Sequence, residues 1–536
     1  MASIYIIAPE TDSQTNYPRM EAQDGRFVTQ TAAISLTTVA ALAPADFEVR
    51  LCDENIDAVD FDAPEDLIAI TANVSQARRA IWFAQRFRAL GKTVLMGGPH
   101  VSLAPHLFEG EADCIVVGEL EGIAEEVFAD ARAGRLKSRY DAPKADLSAS
   151  PAPRWDLYPN DRALHAVVQT SRGCPFECNF CDVIQYLGRV QRHKAPEQVI
   201  GELQAVYDLG YGHVALADDN FTVYRKRCRA LLEAIGDWNG ADGRGYVTMA
   251  TQMSIDIARD DDILQLCAEA GVHDAFIGVE SVNPESLQEA QKRQNLNVDL
   301  VAQLTKIVGY GMRIETALMV GFDHDDVSIF QRQLEFCESV PVTGFNISTL
   351  VAPVATPLYD RIKAEGRLIG DEISAQFPGP NLVTNFQPAQ MSVDELYVGA
   401  RWLVNRVLAP DFFLSRFEHL ARVLGPNPFA LKGVPRHRHE SRKLAHGLYM
   451  RTLREVMRAE PDAADAIRKA MAIIRRADPA MRDGLSDALS HYVLTVAGFR
   501  RRGLYDPEWA RASEPPFGAA RASERLSALE AVAAAE

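Results

Sequence analysis

Three cysteines stand within eight positions of the chain, at Cys174, Cys178 and Cys181, and their spacing is C-x3-C-x2-C. Four cysteine thiolates normally hold a cubane iron–sulfur cluster, but the next cysteine along the chain is Cys228. Three thiolates can bind three of the irons of such a cluster and leave the fourth open to another ligand. The spacing therefore predicts a [4Fe-4S] cluster with one reactive iron.

Two other interpretations fit the same cysteines. A structural zinc ion needs four Cys or His ligands, and His193 would be the fourth, although its distance along the chain is unusual for a zinc finger. Unpaired cysteines also serve as small apolar residues in protein cores, but three of them around a Gly173-Cys174-Pro175 turn are hard to explain in that way. The pattern favours the cluster over both.

The composition limits the class of protein. At 536 residues the chain is too long for one core, and its length predicts about three or four domains. The formal net charge of −17 argues against general binding of nucleic acid, which depends on neutralising phosphates with Lys and Arg. Eight cysteines, three of them clustered, suit metal ligation in a reducing compartment better than a set of disulfides.

The sequence contains no evident targeting segment. No apolar stretch approaches the roughly 20 residues that cross a bilayer, and residues 1–5 lack the basic segment ahead of an apolar one that a secretory signal has. We therefore expect a cytoplasmic protein without a transmembrane segment, for which peripheral contact with a membrane stays open.

Residues 1–140 alternate short apolar runs with amphipathic segments, which is typical of βαβ units in a doubly wound parallel sheet of the α/β class. The predicted strands lie at 4–7, 49–52, 67–71, 94–96 and 114–117, with helices at 34–42 and 76–90. Ligands of such sheets bind outside the carboxyl ends of the strands. The candidate ligand contacts at those ends, all in glycine-rich or small polar turns, are Thr71, Ser75, Gly97, Gly98, His100, Gly118 and Glu119.

A proline-rich linker at 141–160 leads into a second series of βα units at 161–355, and from 356 to 536 the pattern is helical. The strands predicted in the second series are 166–168, 213–217, 246–251, 274–278, 313–320 and 344–351. Parallel strands joined by helices imply right-handed crossovers. Polar residues follow several of these strands, namely Asp218, Asp219, Gln252, Ser254, Glu280 and Asp323.

The segment 170–181, with Phe180 before its last cysteine, resembles the signature of the radical S-adenosylmethionine (SAM) superfamily. The resemblance implies that 161–355 is a partial (β/α)6 barrel and that the amino and carboxylate groups of SAM chelate the open iron. By the same resemblance the SAM contacts are Asp218 and Asp219 at the amino group, Gln252 and Glu280 near the ammonium or ribose, and Val320 and Gly321 beside the adenine, with Ser254 at the same edge. Carboxylates suit a cationic ligand, although acids at strand ends also cap helices.

Ahead of this signature, residues 97–100 and 117–119 resemble the cobalamin-binding domain of the cobalamin-dependent radical SAM class. An older cobalamin-binding family carries Asp-x-His-x-x-Gly after its second strand, where the His binds cobalt, but this chain has Asn55 at that place. The resemblance therefore implies cobalamin bound base-off, without a histidine ligand. His100 is the alternative lower ligand, but a lone histidine beside a glycine turn more often makes hydrogen bonds.

The segments 356–359 and 385–388 resemble the C-terminal extension of cobalamin radical enzymes related to hopanoid methylases. These resemblances imply a methyltransferase that acts on an unactivated carbon of a lipid or other natural product and takes electrons from a donor such as flavodoxin or ferredoxin. One alternative is a non-methylating cyclase of the bacteriochlorophyll ring type, and another is a non-catalytic cobalamin or redox sensor. The basic segment 432–454 is expected to be either a solvated face or a contact for a reductase or an anionic substrate.

Overall fold

A computed structural model describes residues 2–10, 20–21, 25–369, 382, 384–427 and 439–517. In chain order the strands are β1 Ala2–Ala8, β2 Met20–Glu21, β3 Phe27–Thr31, β4 Phe47–Asp53, β5 Leu67–Thr71, β6 Thr93–Gly97, β7 Cys114–Val117, β8 Arg139–Asp141, β9 Ala163–Val168, β10 Ser171–Arg172, β11 Arg192–His193, β12 His213–Leu216, β13 Thr248–Met253, β14 Val272–Glu280, β15 Arg313–Val320 and β16 Gly344–Thr349. The α-helices are α1 Ile34–Leu42, α2 Ala77–Ala89, α3 Pro99–Leu103, α4 Ala124–Arg132, α5 Val183–Tyr186, α6 Pro196–Asp208, α7 Arg225–Trp238, α8 Asp261–Ala270, α9 Pro284–Glu289, α10 Leu300–Gly309, α11 Ile329–Ser339, α12 Pro357–Ala364, α13 Val393–Leu408, α14 Pro410–Val423, α15 His439–Ala459, α16 Pro461–Arg476, α17 Arg482–Arg501 and α18 Pro507–Arg511.

The N-terminal region forms a six-stranded sheet in the order β4-β1-β5-β6-β7-β8, and all of its pairings are parallel. Counted along the chain this is the order 2-1-3-4-5, with one further strand at the edge. In sheets of this order the ligand crevice lies where the order reverses, which here is between the carboxyl ends of β1 and β5. The predicted doubly wound sheet is confirmed.

Helix α2 shows how the sequence builds this layer. Its side chains at Ala80, Phe83, Ala84 and Phe87 follow the i, i+3, i+4, i+7 spacing of one helix face, and each is 0% exposed. They pack in one apolar cluster with residues of the sheet such as Ile68. Burial of this stripe therefore covers one face of the sheet.

The second sheet has eight strands in the order β16-β15-β14-β13-β12-β9-β3-β2. Its first six strands are the predicted ones, and they are paired in parallel. The α/β fold with a partial barrel and a helical C-terminal region is thereby confirmed. The two remaining strands were not predicted: β3 pairs in parallel with β9, and β2 pairs with β3 in antiparallel. They fall inside the range 1–140 expected for the first domain, yet they extend the barrel sheet.

The barrel sheet has a buried outer face and an open inner face. On the outer face side chains such as Val214 and Ile277 are 0% exposed and belong to the main apolar core. The inner face carries the alternate residues of each strand, and these include four small, partly exposed ones, Ala215, Ala250, Gly278 and Ala317. A complete barrel is filled by bulky side chains. Small residues here leave space beside the inner face, which is called the lumen below.

The C-terminal helices pack on the barrel. Helix α13 lies against α11 and β16, and α15 lies against β9 and α17, with Leu448 of α15 in contact with Val28 of β3. The first part of the basic segment, 432–438, and the Ala-rich end, 519–536, lie outside the described residues. None of the helices in the described ranges combines the length and the apolar character needed to span a membrane.

Candidate functional site

The three cysteines lie on a loop that begins and ends at the short antiparallel ribbon of β10 and β11. The backbone of Cys174 donates to the Gly188 carbonyl at 3.2 Å, which folds the two ends of the loop together. Gly173 has φ 97°, and a Cβ at this position would lie 2.9 Å from the carbonyl oxygens of Gly188 and Val190. Only glycine fits this turn, because the neighbouring backbone leaves no space for a side chain.

The barrel holds the other end of the cysteine loop. The backbone N–H of Asn179 donates to Ala290 at 3.1 Å, and its side-chain amide donates to Glu289 at 2.8 Å. The adjacent Phe180 packs edge-on against Phe322, which follows β15, with 6.4 Å between ring centroids. These contacts seat the loop over the carboxyl ends of the barrel strands, which is the position predicted for the site.

Burial raises the pKa of all three loop thiols, to about 12 for Cys181. The ammonium group of Lys292 opposes this effect at Cys174 and Cys178, because a nearby positive charge favours the thiolate. Iron binds thiolates rather than thiols. Lys292 therefore favours the protonation state that a cluster requires.

Lys292 is a site residue that the sequence analysis missed. Its Nζ lies 2.7 Å from Oε1 of Glu280, and the two side chains are only 13% and 8% exposed. Glu280 adopts φ 67°, a conformation that is uncommon outside glycine and that costs free energy. A Cβ on Gly278 would lie 2.1 Å from the same carboxylate oxygen. The local backbone is thus shaped around the Glu280–Lys292 ion pair beside the cysteines.

The side chains suit a cubane cluster better than a zinc ion. Within the described ranges no three His, Cys, Asp or Glu side chains converge as they would around a single metal ion. In a cubane each thiolate binds a different iron, so such convergence is not required. His193, the fourth ligand of the zinc interpretation, instead packs its ring edge-on against Tyr224 at 5.6 Å. The side-chain amide of Gln294 lies 3.9 Å from the sulfur of Cys178, where it can donate to a bound thiolate.

Asp218 has a structural use that the sequence did not indicate. Its carboxylate accepts hydrogen bonds from the backbone N–H of Thr170 at 2.7 Å and of Ser171 at 3.0 Å, and from the hydroxyls of both residues. The Asp218 side chain is 0% exposed. It therefore braces the start of the cysteine loop and offers no free oxygen to SAM.

Asp219, Gln252 and Ser254 lie at the mouth of the lumen. Asp219 accepts a hydrogen bond from the backbone of Gly173 at 2.7 Å, and burial raises the pKa of its carboxyl to about 6. The Gln252 side chain is exposed at the end of β13, and the Ser254 hydroxyl accepts from Asn220 at 2.5 Å. Asp219 and Gln252 remain open to a ligand.

The residues at the end of β15 and directly after it make their contacts within the protein. Val320 is 0% exposed, so any contact with adenine would involve its backbone. The N–H of Gly321 donates to Asp325 at 3.0 Å. Asp323 pairs with Arg361 and Arg367, the latter at 2.6 Å, which ties the barrel to the chain that follows it.

At the carboxyl edge of the N-terminal sheet, two predicted ligand glycines are required by the fold itself. Gly98 has φ 105°, and a Cβ there would lie 2.9 Å from the backbone N and O of Ala72. Gly118 has φ 102°, and its Cβ would lie 2.3 Å from the carbonyl oxygen of Ala142. At Gly97 the nearest atom to such a Cβ is 3.8 Å away. Of the three, only Gly97 could carry a Cβ without a clash, because Val116 would lie at ordinary van der Waals distance.

Two small polar residues, Thr71 and Ser75, lie at the carboxyl end of β5, on one side of the same crevice. Thr71 is the last residue of β5 and is partly exposed. The Ser75 hydroxyl donates to the side chain of Asn73 at 2.8 Å, within a turn that Asn73 and Gln76 cap reciprocally. Both residues stand beside the reversal in strand order, where a ligand is expected.

Neither Asn55, which stands at the expected histidine position, nor His100, the alternative lower ligand, has a side chain free to bind cobalt. His100 is 3% exposed, its ring packs edge-on against Phe108 at 5.6 Å, and burial, followed by repulsion from His106, lowers its pKa to about 4. Asn55 donates from its backbone and its side-chain amide to one oxygen of Asp53, at 3.0 and 2.8 Å. Both residues therefore serve the local fold.

Glu119, which was predicted as a cofactor contact, makes its observed contacts within the protein. Its side chain is 0% exposed and accepts hydrogen bonds from Arg172 and Arg192, each at 2.7 Å. Although burial opposes ionisation, these hydrogen bonds hold the pKa of the Glu119 carboxyl below its usual value. The carboxylate is fully used by the protein.

The two edges predicted to bind ligands face each other. Ala104 and Leu107, which follow α3 of the N-terminal sheet, share an apolar cluster with Phe322 and Leu350 at the carboxyl ends of the barrel strands and with Phe180 of the cysteine loop. A ligand in the crevice of the first sheet would therefore lie next to a ligand on the cysteine loop.

Comparison with known sequences gives a consistent family. A model of the Radical SAM superfamily matches residues 168–337, and one of a domain of unknown function (DUF4070) matches 356–460. An uncharacterized methyltransferase of Synechocystis sp. is 31% identical over 395 residues, which is 72% of this chain and 72% of that protein. The hopanoid C-2 methylase of Rhodopseudomonas palustris is 30% identical over 345 residues, 63% of this chain and 65% of that protein.

Solved structures share the fold. The radical SAM methyltransferase TsrM of Kitasatospora setae, solved with cobalamin and a [4Fe-4S] cluster bound, has a TM-score of 0.55 at 16% identity and covers 68% of this chain and 78% of its own. The cobalamin-dependent SAM radical enzyme OxsB, solved with aqua-cobalamin and SAM bound, has a TM-score of 0.57 at 15% identity and covers 99% of this chain and 84% of its own. The sequence relatives and the three-cysteine loop lead to one conclusion: the chain belongs to the radical SAM enzyme family.

Proposed function

We propose that the protein is a methyltransferase that uses a [4Fe-4S] cluster, SAM and cobalamin to methylate an unactivated carbon of a lipid or another natural product. The observation that carries the proposal is the three-cysteine loop, seated where the mouth of the barrel lumen meets the ligand edge of the N-terminal sheet. Relatives named as methylases of a hopanoid and of bacteriochlorophyllide support methyl transfer as the reaction.

In this proposal Cys174, Cys178 and Cys181 hold the cluster. When bound, the cluster supplies an electron for reductive cleavage of SAM, and cobalamin carries the methyl group. The protein itself supplies charge and position. Glu280 and Asp219 present carboxylates beside the cysteines, where the ammonium and sulfonium of SAM need compensating charge, and Gln252 offers an amide at the same mouth.

Cobalamin would lie at the carboxyl edge of the N-terminal sheet, against Thr71, Ser75 and Gly97. We propose base-off binding without a histidine ligand, because Asn55 stands at the expected histidine position and His100 is buried against Phe108. The apolar cluster that contains both Ala104 and Phe322 supports placing this cofactor next to the cluster.

The substrate would enter the lumen from the same mouth. The small side chains of Ala215, Ala250 and Ala317 leave room there for a bulky molecule, and enclosure by the barrel would exclude water from the reacting atoms. A flavodoxin or ferredoxin is the proposed electron donor, because both carry single electrons of low potential.

The decisive experiment uses the full chain reconstituted with iron, sulfide and cobalamin, then reduced with dithionite in the presence of SAM and extracts of lipids and pigments. Methylation requires both 5′-deoxyadenosine and S-adenosylhomocysteine, together with a metabolite heavier by one methylene unit. 5′-Deoxyadenosine without S-adenosylhomocysteine would instead indicate a cyclase or rearrangement enzyme. No SAM cleavage at all would leave a cobalamin or redox sensor.

A further inference from the structure

Two arginines stand opposite each other at the base of the cysteine loop. In the ribbon of β10 and β11, Arg172 pairs with Arg192 and Ser171 pairs with His193. This ribbon closes the loop 173–191 that carries the three cysteines. Like charges directly opposite in an antiparallel pair destabilise it. The ribbon therefore needs an anion between the two guanidinium groups.

Glu119, from the other sheet, supplies that anion. One of its oxygens accepts from Arg172 at 2.7 Å and from Arg192 at 2.8 Å, and the other accepts from Arg192 at 2.7 Å. The Glu119 side chain is 0% exposed, and the arginines are 13% and 18% exposed. Charge-assisted hydrogen bonds with this two-pronged geometry fix orientation as well as distance.

The surrounding contacts make the junction rigid. Arg172 forms a second ion pair with Glu121 at 2.6 Å and donates to the Gln169 side chain at 2.7 Å. Arg192 also donates to the carbonyl of Ala145, in the connection between the two sheets, at 2.7 Å. Each arginine is thus held by both halves of the molecule.

Glu119 is the second residue after β7, whose neighbour in the sheet is β6, the strand that ends at Gly97. On the other side, Arg172 is two residues before Cys174. The Glu119 carboxylate therefore connects the edge where cobalamin is proposed to bind, through the pairing of β7 with β6, with the loop where the cluster is proposed to bind, through the two residues from Arg172 to Cys174.

We propose that Glu119 is a positioning residue that sets the distance and orientation between the two cofactors. The proposal rests on the proposed function, since it needs both cofactors in those places. Transfer between two bound groups depends steeply on their separation, and a misplacement of about 1 Å can cost about 100-fold in rate. Glu119 touches neither cofactor in this proposal and acts only through Arg172 and Arg192.

The test is Glu119→Gln in the fully loaded protein. The amide keeps the shape but has one acceptor oxygen and no charge, so the two arginines repel and the loop base shifts. The main measurement is the magnetic interaction between cob(II)alamin and the reduced cluster in electron paramagnetic resonance spectra, which reports their distance without turnover. We expect this interaction to weaken while iron and cobalamin contents stay at wild-type levels. Methylated product should fall by roughly 10- to 100-fold relative to 5′-deoxyadenosine.

Two further variants make the test decisive. Glu121→Gln removes only one ion pair of Arg172 and should weaken the interaction in the same direction but less. Glu109→Gln removes an exposed ion pair with Arg139 in the same sheet region and should change nothing. If the Glu119→Gln protein cannot bind iron, the magnetic interaction measured in Glu121→Gln tests the proposal instead.

Unchanged magnetic interaction in Glu119→Gln, or in Glu121→Gln when that variant decides, would overturn the positioning role. An interaction that weakens equally in Glu109→Gln would also overturn it. Failure of the proposed function has a different signature: wild-type protein that cleaves SAM but never yields S-adenosylhomocysteine, whatever the magnetic interaction shows.

Discussion

The cysteine loop and the ligand edge of the N-terminal sheet were both identified from short motifs, but the structure treats them differently. The three predicted cysteines lie on one loop, with Glu280 and Asp219 beside two of them. On the sheet edge the glycines and charged residues singled out by sequence serve mainly the fold: Gly98 and Gly118 avoid backbone clashes, His100 is buried and Glu119 pairs with arginines.

The difference has a chemical origin. Folding alone does not require three cysteines so close together in sequence, so their spacing indicates a chemical function. A glycine with positive φ is needed wherever the backbone turns tightly, whether or not a ligand is near. A glycine turn is therefore weaker evidence for a site than a thiol cluster.

The largest effect is expected on the cysteine loop. Cys178→Ala should abolish the reducible cluster and SAM cleavage, because two thiolates hold such a cluster poorly. Cys174→Ala and Cys181→Ala should behave alike. Iron analysis, the spectrum of the reduced protein and the yield of 5′-deoxyadenosine with dithionite measure this.

The matched controls are Cys228→Ala and Cys267→Ala, whose thiols are 0% exposed in the core. They should lose about 1 kcal/mol of stability and keep their full iron content. A triple variant of the loop cysteines that still produced 5′-deoxyadenosine would show that these cysteines do not hold the cluster. The contrast between the loop and the sheet edge would then have no basis.

At the sheet edge, Gly118→Ala should destabilise the protein even without cobalamin. The new Cβ would meet the Ala142 carbonyl, and alanine at positive φ costs on the order of 1–3 kcal/mol. Gly98→Ala should behave similarly. Gly97→Val, in contrast, should leave the melting temperature of the cobalamin-free protein near wild type and weaken cobalamin loading. Thermal melting and cobalamin titration separate the two effects, and equal melting temperatures in all variants would assign these glycines to the ligand instead.

Glu280→Gln should weaken SAM binding about tenfold, a loss of about 1.4 kcal/mol, while the iron content stays unchanged. The reason is the lost carboxylate charge beside the cysteines. Glu315→Gln is the control, because this inner-face carboxylate instead pairs with His491 at 3.6 Å. Equilibrium binding of SAM is measured for both variants. Equal losses of SAM affinity in the two variants would show that the effect does not depend on where the carboxylate lies in the lumen.

The smallest effects are expected from substitutions of Asn55 and His100, the two residues considered for the lower face of cobalamin. The cob(II) form should show no superhyperfine splitting from an axial nitrogen, and neither Asn55→Ala nor His100→Gln should alter its spectrum. Asn55→Ala should cost about 1 kcal/mol of stability, because the buried Asp53 loses the hydrogen bond from the Asn55 side-chain amide. A nitrogen splitting that disappears in His100→Gln would contradict base-off binding without histidine.

Local patterns predicted much of the fold. Helix 34–42 and strands 67–71 and 313–320 were predicted with the bounds that the structure shows, because their apolar pattern is complete within the segment. Strand β3 was missed, since Phe27–Thr31 has a mostly polar composition and is stabilised by pairing with β9, more than 100 residues away in sequence.

The sequence by itself determined the chemical groups: three thiols at a fixed spacing, and acids placed after parallel strands. Only the tertiary structure decided which of those acids are free, because ionised side chains take whatever partners the packed chain brings to them. It enclosed Asp218 and Glu119 in hydrogen bonds, left Asp219 beside the cysteines, and brought Lys292 to Glu280. Such pairings join residues distant in sequence, and no local pattern encodes them.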